Sequence, residues 1–422
     1  MAVALWLDQL AAWNAHLGLV LIFYPVGLGL LWCLLALLWS WRWERAERWC
    51  AQPPGAEAGP PVSVLIPCFN EGPQLAETLR AALALHWGDW EVIAINDGSS
   101  DDTGPQLEAW AAHHPRLRVV HLASNQGKAL ALKAGALLAR HELLVCIDAD
   151  ALLDPWAIGW MVRHFQADPG LAAVTGNPRI RNRSSLLGRL QVGEFSMIVG
   201  LIKRAQSLLG CLFCVSGVIG CFRRQALYAV DGWDPRRLTE DIDLTWRLQR
   251  AGWRVRYEPH ALVWILMPET LSGLWRQRLR WARGGLEVLR ANLDLLRRPR
   301  LWRLLPLLLE PLASLLWAHL LVLSLLLGLL QAYRSGLHPA LLLPQGLGQL
   351  LLLVCLLQFA ISFWLDRPYD VGLGRIAFWM IWFPALYWLL SLLASLAACW
   401  QGQPRRAAQR ARWLSPDRGL RS

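Results

Sequence analysis

The chain carries four long apolar runs, one near its N-terminus and three near its C-terminus. The first covers residues 18–41 without a charged residue, and the others cover 311–333, 339–365 and 376–403. About 20 apolar residues in a helix are enough to cross the hydrocarbon core of a bilayer. The pattern therefore predicts an N-terminal membrane anchor and a C-terminal group of membrane helices.

Arginines flank these runs and predict the side of the membrane on which the middle of the chain lies. Three follow the first run directly, and four more precede the second run. They are Arg42, Arg45 and Arg48, then Arg297, Arg298, Arg300 and Arg303. Because basic flanks stay on the cytoplasmic side, the long polar stretch between the two groups is predicted to be cytosolic.

For the C-terminus, the number of apolar runs and the positions of the arginines predict opposite sides of the membrane. Three crossings after a cytosolic domain would leave the tail outside, yet residues 404–422 contain six arginines and one acidic residue, which favours the inside. One run is therefore expected not to cross. Our choice is 376–403, where Pro384 interrupts a Trp-rich stretch that suits a part-interfacial, part-spanning segment. The sequence leaves the number of crossings open.

The middle of the chain alternates between short apolar stretches and helical patterns. A Pro- and Gly-rich linker at 51–61 comes first. The predicted strands are 62–67, 91–96, 119–122 and 143–148, and the predicted helices between them are 74–84, 105–113 and 128–140. This alternation is typical of a parallel sheet with crossover helices. Such sheets bind ligands at the carboxyl ends of their strands.

Composition and charge agree with a membrane protein that holds one large polar domain. Hydrophobic residues make up 55% of the chain and charged residues 17%, whereas soluble domains have about 25% charged residues. A net charge of +11 suits nucleic acid, a membrane surface or an anionic substrate. Since the arginine groups flank the apolar runs, we expect a lipid bilayer as the partner and no nucleic acid.

Polar residues follow three of the predicted strands. For 99–103, turn and capping chemistry is the favoured interpretation. Asp148 and Asp150 instead follow a buried strand as alternate residues, and such a compact set of hard oxygens suits Mg²⁺ or Mn²⁺ that also binds substrate phosphates. The chain has no dinucleotide glycine fingerprint and no Walker loop.

Two later motifs carry further candidate chemistry. Thr239-Glu240-Asp241 precedes an amphipathic helix. Its residues are either an N-cap with acids favoured by the helix dipole, or they present Asp241 as a general base; spacing leaves both open. Gln277 and Trp281 share one face of a predicted helix at 272–296 with Arg280, at positions i, i+4 and i+3. That face suits a diphosphate and a sugar ring, or a membrane-interface helix.

In this order, the motifs resemble the signature of processive family 2 glycosyltransferases, which include cellulose, chitin and hyaluronan synthases. The motifs are Asp97, Asp148-x-Asp150, Thr239-Glu240-Asp241 and Gln277-x-x-Arg280-Trp281. Longer strings at 174–181, 264–285 and 409–419 resemble bacterial poly-β-1,6-N-acetylglucosamine synthases. The resemblance implies an α/β GT-A fold, with a Rossmann-like, mostly parallel sheet in a cytosolic domain joined to α-helical transmembrane segments.

The resemblance also implies a role for each matching residue. The donor-binding residues would be Pro67, Glu71, Asp97, Lys128, Asp148, Gln277 and Arg280. The acceptor-binding residues would be Trp281, Ser216, Gly217 and Glu240. Asp150 and Asp148 would hold Mg²⁺ or Mn²⁺, and Asp241 would deprotonate the acceptor hydroxyl in a single inverting displacement.

The implied function is the polymerisation of N-acetylglucosamine from UDP-N-acetylglucosamine onto a growing β-1,6-linked polysaccharide, exported across the bacterial inner membrane for a biofilm matrix. A small membrane accessory subunit and cyclic di-GMP are further implied partners. The expected domains are an anchor at 1–50, the cytosolic transferase at 51–300, membrane or interfacial helices at 301–403 and a basic tail at 404–422. The alternatives are another processive synthase, a non-processive transferase that makes a lipid-linked sugar, and a non-catalytic transporter or scaffold.

Glu310 is an ionisable residue beside an apolar run, and two interpretations apply to it. An acid within a membrane span is a functional candidate, here on the path of the polymer. It also lies seven residues past Arg303, about 10 Å along a helix, which is the depth of lipid headgroups. The sequence favours the second interpretation without excluding the first.

Overall fold

The architecture comes from a computed structural model that describes residues 2–53, 59–335 and 347–401. Four predicted segments fall partly or wholly outside these residues: the middle of the linker at 51–61, the beginning of the run at 339–365, the last two residues of the run at 376–403, and the basic tail at 404–422.

An eight-stranded sheet forms the centre of the described chain. Its strands are β1 (Val62–Cys68), β2 (Trp90–Asn96), β3 (Leu117–His121), β4 (Leu143–Ile147), β5 (Leu152–Leu153), β6 (Leu171–Ile180), β7 (Ile219–Arg223) and β8 (Arg254–Ile265). They lie in the order β3-β2-β1-β4-β7-β6-β8-β5. The first four strands pair in parallel, and β7 runs antiparallel to both of its neighbours. The sheet is thus mostly parallel, as the alternating pattern predicted.

Helices cover the sheet and extend from it. They are α1 (Ala2–Trp39), α2 (Gly72–Leu83), α3 (Thr103–His113), α4 (Lys128–Leu138), α5 (Ala157–Ala167), α6 (Leu186–Phe195), α7 (Lys203–Leu208), α8 (Arg224–Ala229), α9 (Glu240–Arg250), α10 (Leu271–Ala291), α11 (Leu305–Ser335), α12 (Leu347–Asp366), α13 (Leu373–Ile376) and α14 (Leu389–Trp400). Strands β1, β2 and β4 are buried along their whole length, because the crossover helices cover both faces of the sheet.

The four predicted strands and the three helices between them are confirmed, with ends that shift by up to two residues. The third strand, predicted at 119–122, begins at Leu117 and ends at His121. The predicted helix at 272–296 is an α-helix to Ala291, and a 3₁₀ turn follows at Leu293–Arg297.

Three helices of the described residues are long and apolar enough to cross a membrane: His16–Glu44, Pro299–Leu330 and Gly348–Asp366. Two further helices, Leu373–Trp382 and Leu386–Trp400, together pass the same test but are bent by 71°. The bend lies at Pro384, where the sequence predicted an interruption. The number of true crossings stays a prediction.

A buried group of charges joins the sheet to the ends of two of these helices. The Arg204 guanidinium lies 2.7 Å from Glu44 Oε1 and 2.8 Å from Asp366 Oδ1, and Arg179 of β6 lies 2.8 Å from Asp366 Oδ2. The absence of a side chain at Gly200 leaves space for the Asp366 carboxylate, since a Cβ at Gly200 would lie 2.1 Å from that carboxylate. Buried charges are tolerated when they are paired, so this group fixes the sheet against α1 and α12.

Candidate active site

A cavity of about 2300 Å³ opens at the carboxyl ends of the strands and continues between the candidate membrane helices. Its wall near the sheet includes Lys128, Asp148 and Asp241. Its far wall includes Glu310, Ser314, Trp317, Gln358, Trp388, Ser391 and Ser395. One continuous space therefore connects the strand ends to the candidate membrane helices.

Most of the predicted site residues line this cavity. They come from α4, from the end of β4, from the loop before β7, and from α9 and α10. They are Lys128, Asp148, Asp150, Ser216, Gly217, Glu240, Asp241, Gln277, Arg280 and Trp281. The structure thus brings together segments that are far apart in the sequence.

Lys128 contacts three of these segments: the end of β4, the loop before β7, and α9. It is the first residue of α4, and its ammonium contacts the Asp148 carboxylate, donates to the carbonyl of Gly217 (2.9 Å) and lies 3.9 Å from Glu240 Oε1. Burial alone would lower the pKa of Lys128, but the carboxylates of Asp148 and Glu240 outweigh it and hold that pKa above its usual range. A fixed positive charge therefore lies at the cavity wall.

Asp241 lies in the first turn of α9, and its carboxylate is held from two sides. Oδ2 accepts from the backbone N–H of Gly217 (3.1 Å) and Oδ1 from the N–H of Ile242 (2.9 Å), while the Cys214 thiol lies 3.4 Å from Oδ2. An oriented carboxylate that faces a cavity has the geometry of a general base.

The neighbouring acid Glu240 has a different environment. Burial raises the pKa of Glu240; the Lys128 charge opposes this rise, and the adjacent Asp241 adds to it. The two consecutive carboxyl groups of Glu240 and Asp241 thus line one cavity.

Thr239 lies at the N-cap position of α9 and acids occupy the first turn, as the N-cap interpretation predicted, but the Thr239 side chain does not cap the helix. Its side chain accepts no capping hydrogen bond, and its Oγ1 is buried without a hydrogen bond among the described residues. The side chain instead packs against Gly284 of α10, where a Cβ would lie 2.4 Å from both Oγ1 and Cγ2 of Thr239. Thr239 is therefore a packing contact between α9 and α10.

Helix α10 carries the last motif to the cavity. It begins at Leu271, because Thr270 Oγ1 accepts from the N–H of Gly273 (3.1 Å) and caps the helix. Gln277, Arg280 and Trp281 line the cavity, as the i, i+3 and i+4 spacing predicted.

The sequence did not predict the role of Arg278, which lies between these residues. Its side chain is 5% exposed and lies 2.5 Å from the carboxylate of Glu194 in α6. Its Nε also donates to the hydroxyl of Tyr387 (3.0 Å). Position within the motif was the only available signal, since neither partner stands in a recognisable pattern.

Three predicted donor residues lie outside the cavity wall. Pro67, Glu71 and Asp97 are buried at the ends of β1 and β2. The two carboxylate oxygens of Asp97 accept from the backbone N–H groups of Gln126 and Gly127, each at 2.8 Å. Burial raises the pKa of Asp97, and these two hydrogen bonds oppose the rise. Asp97 thus holds the loop that leads into Lys128, and a contact with a nucleobase stays a prediction.

The turn part of the interpretation of 99–103 is confirmed, whereas Asp102, at the N-cap position of α3, makes no side-chain capping hydrogen bond. The Asp101 carboxylate accepts from the N–H groups of Thr103 (3.0 Å) and Gly72 (3.2 Å), and the N–H of Ser100 donates to Asn70 Oδ1 (2.9 Å). These bonds join the turn after β1 to the turn after β2.

The carboxylates at the end of β4 fit a divalent metal. Asp148 and Asp150 both line the cavity, and among the described residues no group of three or more His, Cys, Asp or Glu could enclose a metal ion. Mg²⁺ is commonly held by one or two carboxylates, with substrate phosphates and water completing its octahedron. This pair fits such a shared site and does not form a protein-only cage.

Comparisons with known proteins agree with this geometry. A family model described as glycosyltransferase like family 2 matches residues 60–284. The chain is 34% identical over 412 residues to a poly-beta-1,6-N-acetyl-D-glucosamine synthase of Staphylococcus epidermidis, covering 96% of this chain and 99% of that protein. It is 35% identical over 403 residues to the synthase of that name from Staphylococcus aureus, covering 94% and 98%.

A solved structure shares the fold. A mannosyltransferase from Pyrobaculum calidifontis, determined in complex with GDP-Man and Mn²⁺, superposes with a TM-score of 0.59 at 22% identity, covering 92% of this chain and 100% of that one. The fold is therefore GT-A-like, a mostly parallel sheet with apolar helices attached, as the resemblance implied.

Proposed function

Because this chain belongs to family 2 of the glycosyltransferases, we propose that it is a membrane-bound, processive, inverting enzyme that polymerises N-acetylglucosamine. The donor would be UDP-N-acetylglucosamine and the product a β-1,6-linked chain. One observation carries the proposal: the Asp148–Asp150 pair, Asp241 and the motif face of α10 line a single cavity that continues into the membrane region. The names of relatives at 34% and 35% identity over nearly the full chain support the choice of sugar and linkage.

The proposed reaction is one displacement at C1 of the donor sugar. Asp241 accepts the proton of the acceptor 6-hydroxyl as that oxygen forms its bond to C1. The bond between C1 and the diphosphate oxygen breaks, and its electron pair leaves on UDP. An α-linked donor thus gives a β-linkage without a covalent enzyme intermediate. The N–H of Gly217 would hold the Asp241 carboxylate in place during proton transfer.

The donor would lie between the strand ends and α10. Lys128, Gln277 and Arg280 would bind the diphosphate, because an ammonium, an amide and a guanidinium all donate hydrogen bonds to phosphate oxygens. Pro67, Glu71 and Asp97 would lie near the uracil. Glycosyltransferases of this fold generally use a divalent metal, and Asp148 and Asp150 would hold it. When bound, Mg²⁺ or Mn²⁺ would neutralise charge on the leaving diphosphate.

The acceptor end of the polymer would rest on Trp281, beside Ser216, Gly217 and Glu240. A half-buried indole that faces a cavity offers a flat apolar surface for a sugar ring, and the backbone and carboxylate groups beside it offer hydrogen bonds to hydroxyls. This placement would bring the terminal 6-hydroxyl to Asp241.

The growing chain would leave through the continuation of the cavity. Its walls combine aromatic rings such as Trp317 and Trp388 with hydroxyl and carboxylate groups, a mixture that suits the two faces of a sugar. Glu310 lines this space and its Oε1 accepts from Ser314 Oγ at 3.0 Å. We therefore prefer the polymer-path interpretation of Glu310 to the headgroup interpretation.

The proposal also covers location and partners. It puts the anchor at 1–50, the catalytic domain at 51–300 on the cytosolic side of the bacterial inner membrane, and multi-pass or interfacial helices at 301–403. A small membrane subunit would complete the assembly. The basic tail at 404–422 would bind cyclic di-GMP or anionic lipid, since six arginines attract phosphate groups.

The proposal is tested by supplying labelled UDP-N-acetylglucosamine and Mg²⁺ to membranes that contain the chain. We expect a high-mass product that a β-1,6-specific glucosaminidase digests and a β-1,4-specific chitinase leaves intact. Membranes without the chain are the control. A labelled monosaccharide that partitions into organic solvent would contradict polymerisation and favour a lipid-linked product.

A further inference from the structure

Three buried side chains from distant parts of the sequence form a closed hydrogen-bonded triangle beside the cavity. Arg278 Nη2 lies 2.5 Å from Glu194 Oε2, Arg278 Nε donates to the Tyr387 hydroxyl (3.0 Å), and that hydroxyl donates to Glu194 Oε2 (2.6 Å). We call these residues the Arg278 triad. They join α6, α10 and the segment Phe383–Trp388, which contains the bend at Pro384.

The triad also contacts two residues of the cavity wall. The Arg278 guanidinium lies 4.1 Å from the ring centroid of Trp281, and Arg278 Nη1 donates to Gln277 Oε1 (3.2 Å). One cation thus touches an aromatic ring on one side and an amide on the other. Both of those residues line the cavity, and so do Arg278 and Glu194.

These contacts restrict how Trp281 and Gln277 can move. A guanidinium is planar, and acceptors on two of its edges fix the orientation of that plane. The fixed plane covers part of the Trp281 indole and resists its rotation through the cation–π contact. Gln277 Oε1 accepts from Arg278 and Gln277 Nε2 lies 3.9 Å from Met267 Sδ, so both ends of the amide are oriented, and an amide NH₂ still has a second hydrogen to donate to a ligand.

We propose that the Arg278 triad positions Trp281 and Gln277 for transfer to the acceptor. This inference rests on the proposed function and deepens it. Glu194, Arg278 and Tyr387 are positioning residues, because they act through the two motif residues and hold no reacting atom. Glu194 and Tyr387 thereby become part of the site, although they lie 84 and 109 residues from Arg278.

A second ion pair provides a matched control. Arg183 Nη1 and Nη2 donate to the two carboxylate oxygens of Asp370 at 2.8 and 2.6 Å. Like the triad, this pair joins the region of α6 to the C-terminal helices, and Asp370 is buried. Neither residue lines the cavity, so its loss should affect stability without affecting the acceptor site.

The experiment compares Tyr387→Phe and Glu194→Gln with Asp370→Asn in the full-length chain in membranes. Tyr387→Phe removes one hydroxyl and keeps the ring that stacks on Phe383, so this variant should fold even if Glu194→Gln does not. The measured quantities are the affinity for UDP, the KM for UDP-N-acetylglucosamine, the rate of polymer formation, and the ratio of free N-acetylglucosamine released to sugar transferred.

We expect both triad variants to slow transfer by about tenfold to a hundredfold, which is the usual cost of a small misplacement of reactants. The ratio of hydrolysis to transfer should rise, while UDP affinity changes less than about twofold, a difference too small to indicate a lost donor contact. Asp370→Asn should leave the ratio at the wild-type value.

Two results would overturn the inference. If Tyr387→Phe keeps the wild-type ratio of hydrolysis to transfer, or changes it no more than Asp370→Asn does, the triad is only a structural contact. If the wild-type chain makes no polymer from UDP-N-acetylglucosamine, the proposed function fails and this inference fails with it. The first result leaves the proposed function intact, so the two failures are distinguishable.

Discussion

At the scale of single residues, the geometry supports one specific chemical role for Asp241, that of a general base. Its carboxylate faces the cavity and is held by the N–H groups of Gly217 and Ile242. An amide in its place would keep the shape and could still accept a hydrogen bond through its oxygen, but it could not take up a proton from a hydroxyl. Replacing Asp241 by an amide should therefore remove catalysis and retain donor binding.

We expect Asp241→Asn to abolish polymer formation, a loss of at least about a hundredfold for removal of a general base, and to leave UDP affinity nearly unchanged. The check is calorimetric titration of the purified chain with UDP beside the polymer assay. Asp231→Asn, whose side chain is 98% exposed, is the control and should retain activity. Loss of UDP binding in Asp241→Asn would contradict the base assignment.

Lys203 is a second residue with a specific prediction. Its ammonium is buried at the cavity wall and donates to Thr175 Oγ1 at 3.0 Å. Burial lowers the pKa of Lys203 to about 8, against the opposing influence of Cys214 and Asp241. The folded state thus binds this proton less tightly than the unfolded chain does, so Lys203 lowers stability as the pH falls from about 10.4, its unfolded pKa, through 8.

We therefore expect Lys203→Met to raise the melting temperature at pH 7 and to have a smaller effect at pH 10, where the wild-type lysine is already mostly neutral in the folded state. Thermal unfolding of the detergent-solubilised chain at both pH values measures this. Lys133→Met, at a partly exposed residue of α4 that pairs with the exposed Asp231, should shift the melting temperature little at either pH. An equal shift at both pH values in Lys203→Met would contradict the assigned pKa.

The sequence predicted the location of site residues correctly where the position of a residue in a strand or helix determines where its side chain points. Asp148 and Asp150 follow a buried strand, and Gln277, Arg280 and Trp281 follow helical spacing, so backbone geometry alone brought them to one place. It failed for the Arg278 triad, because a buried polar contact across 84 to 193 residues of sequence leaves no local pattern. Pro67, Glu71 and Asp97 lie at the expected strand ends but do not line the cavity.

At the scale of elements, the approach of α10 to α9 determines where the motif face lies. Gly284 is the contact point, since a side chain there would collide with Thr239. A Cβ added to the following Gly285 would meet no other element of the described chain within 4 Å. The two adjacent glycines therefore differ in their surroundings: Gly284 is buried against Thr239, whereas Gly285 is half-buried and lines the cavity.

We expect Gly284→Ala to push α10 away from α9 and to lower both activity and melting temperature, by about 1–3 kcal/mol of stability as is usual for overpacking. Gly285→Ala should instead stabilise the helix by up to about 1 kcal/mol. Melting temperatures and polymer rates of the two variants provide the comparison. Equal behaviour of the two would show that the contact with Thr239 is not what requires glycine.

The sequence predicted β1 to β4 but not β5 to β8, and for β6 the burial of polar side chains explains why. Strands β1, β2 and β4 are almost uninterrupted apolar runs. Strand β6 is fully buried yet contains Thr175, Asn177 and Arg179, whose partners are Lys203, the carbonyl of Pro259 and Asp366. A strand that buries polar side chains against remote partners does not have the hydrophobic pattern of a strand.

At the scale of the whole molecule, one cavity extends from the proposed active site to the candidate membrane helices. A substitution of Glu310 tests whether the polymer uses this continuous space. It lies on the wall formed by the apolar helices, far along the chain from the strand ends. A carboxylate there would bind the hydroxyl or amide groups of a passing sugar more strongly than a neutral side chain would.

We expect Glu310→Gln to shorten the polymer while leaving the initial rate of sugar transfer within about twofold, because the residue lies away from the reacting atoms and retains one hydrogen-bonding oxygen. Size-exclusion chromatography of the labelled product measures chain length. Leu316→Ala, on the exposed outer side of the same helix, is the control. An unchanged length distribution in Glu310→Gln would remove Glu310 from the polymer path.

The buried charges around Arg204 have a consequence for the order in which the protein is made. Glu44 is synthesised 160 residues before Arg204, so this acceptor is already present when Arg204 is synthesised. Asp366 is synthesised 162 residues after Arg204. Arg179, which also pairs with Asp366, precedes Arg204, so its separation from Asp366 is larger still. A buried arginine without its acid costs about 3–5 kcal/mol. The transferase domain should thus complete its folding only after the ribosome has produced the helix that ends at Asp366, and a fragment cut before that helix should not fold as a soluble enzyme.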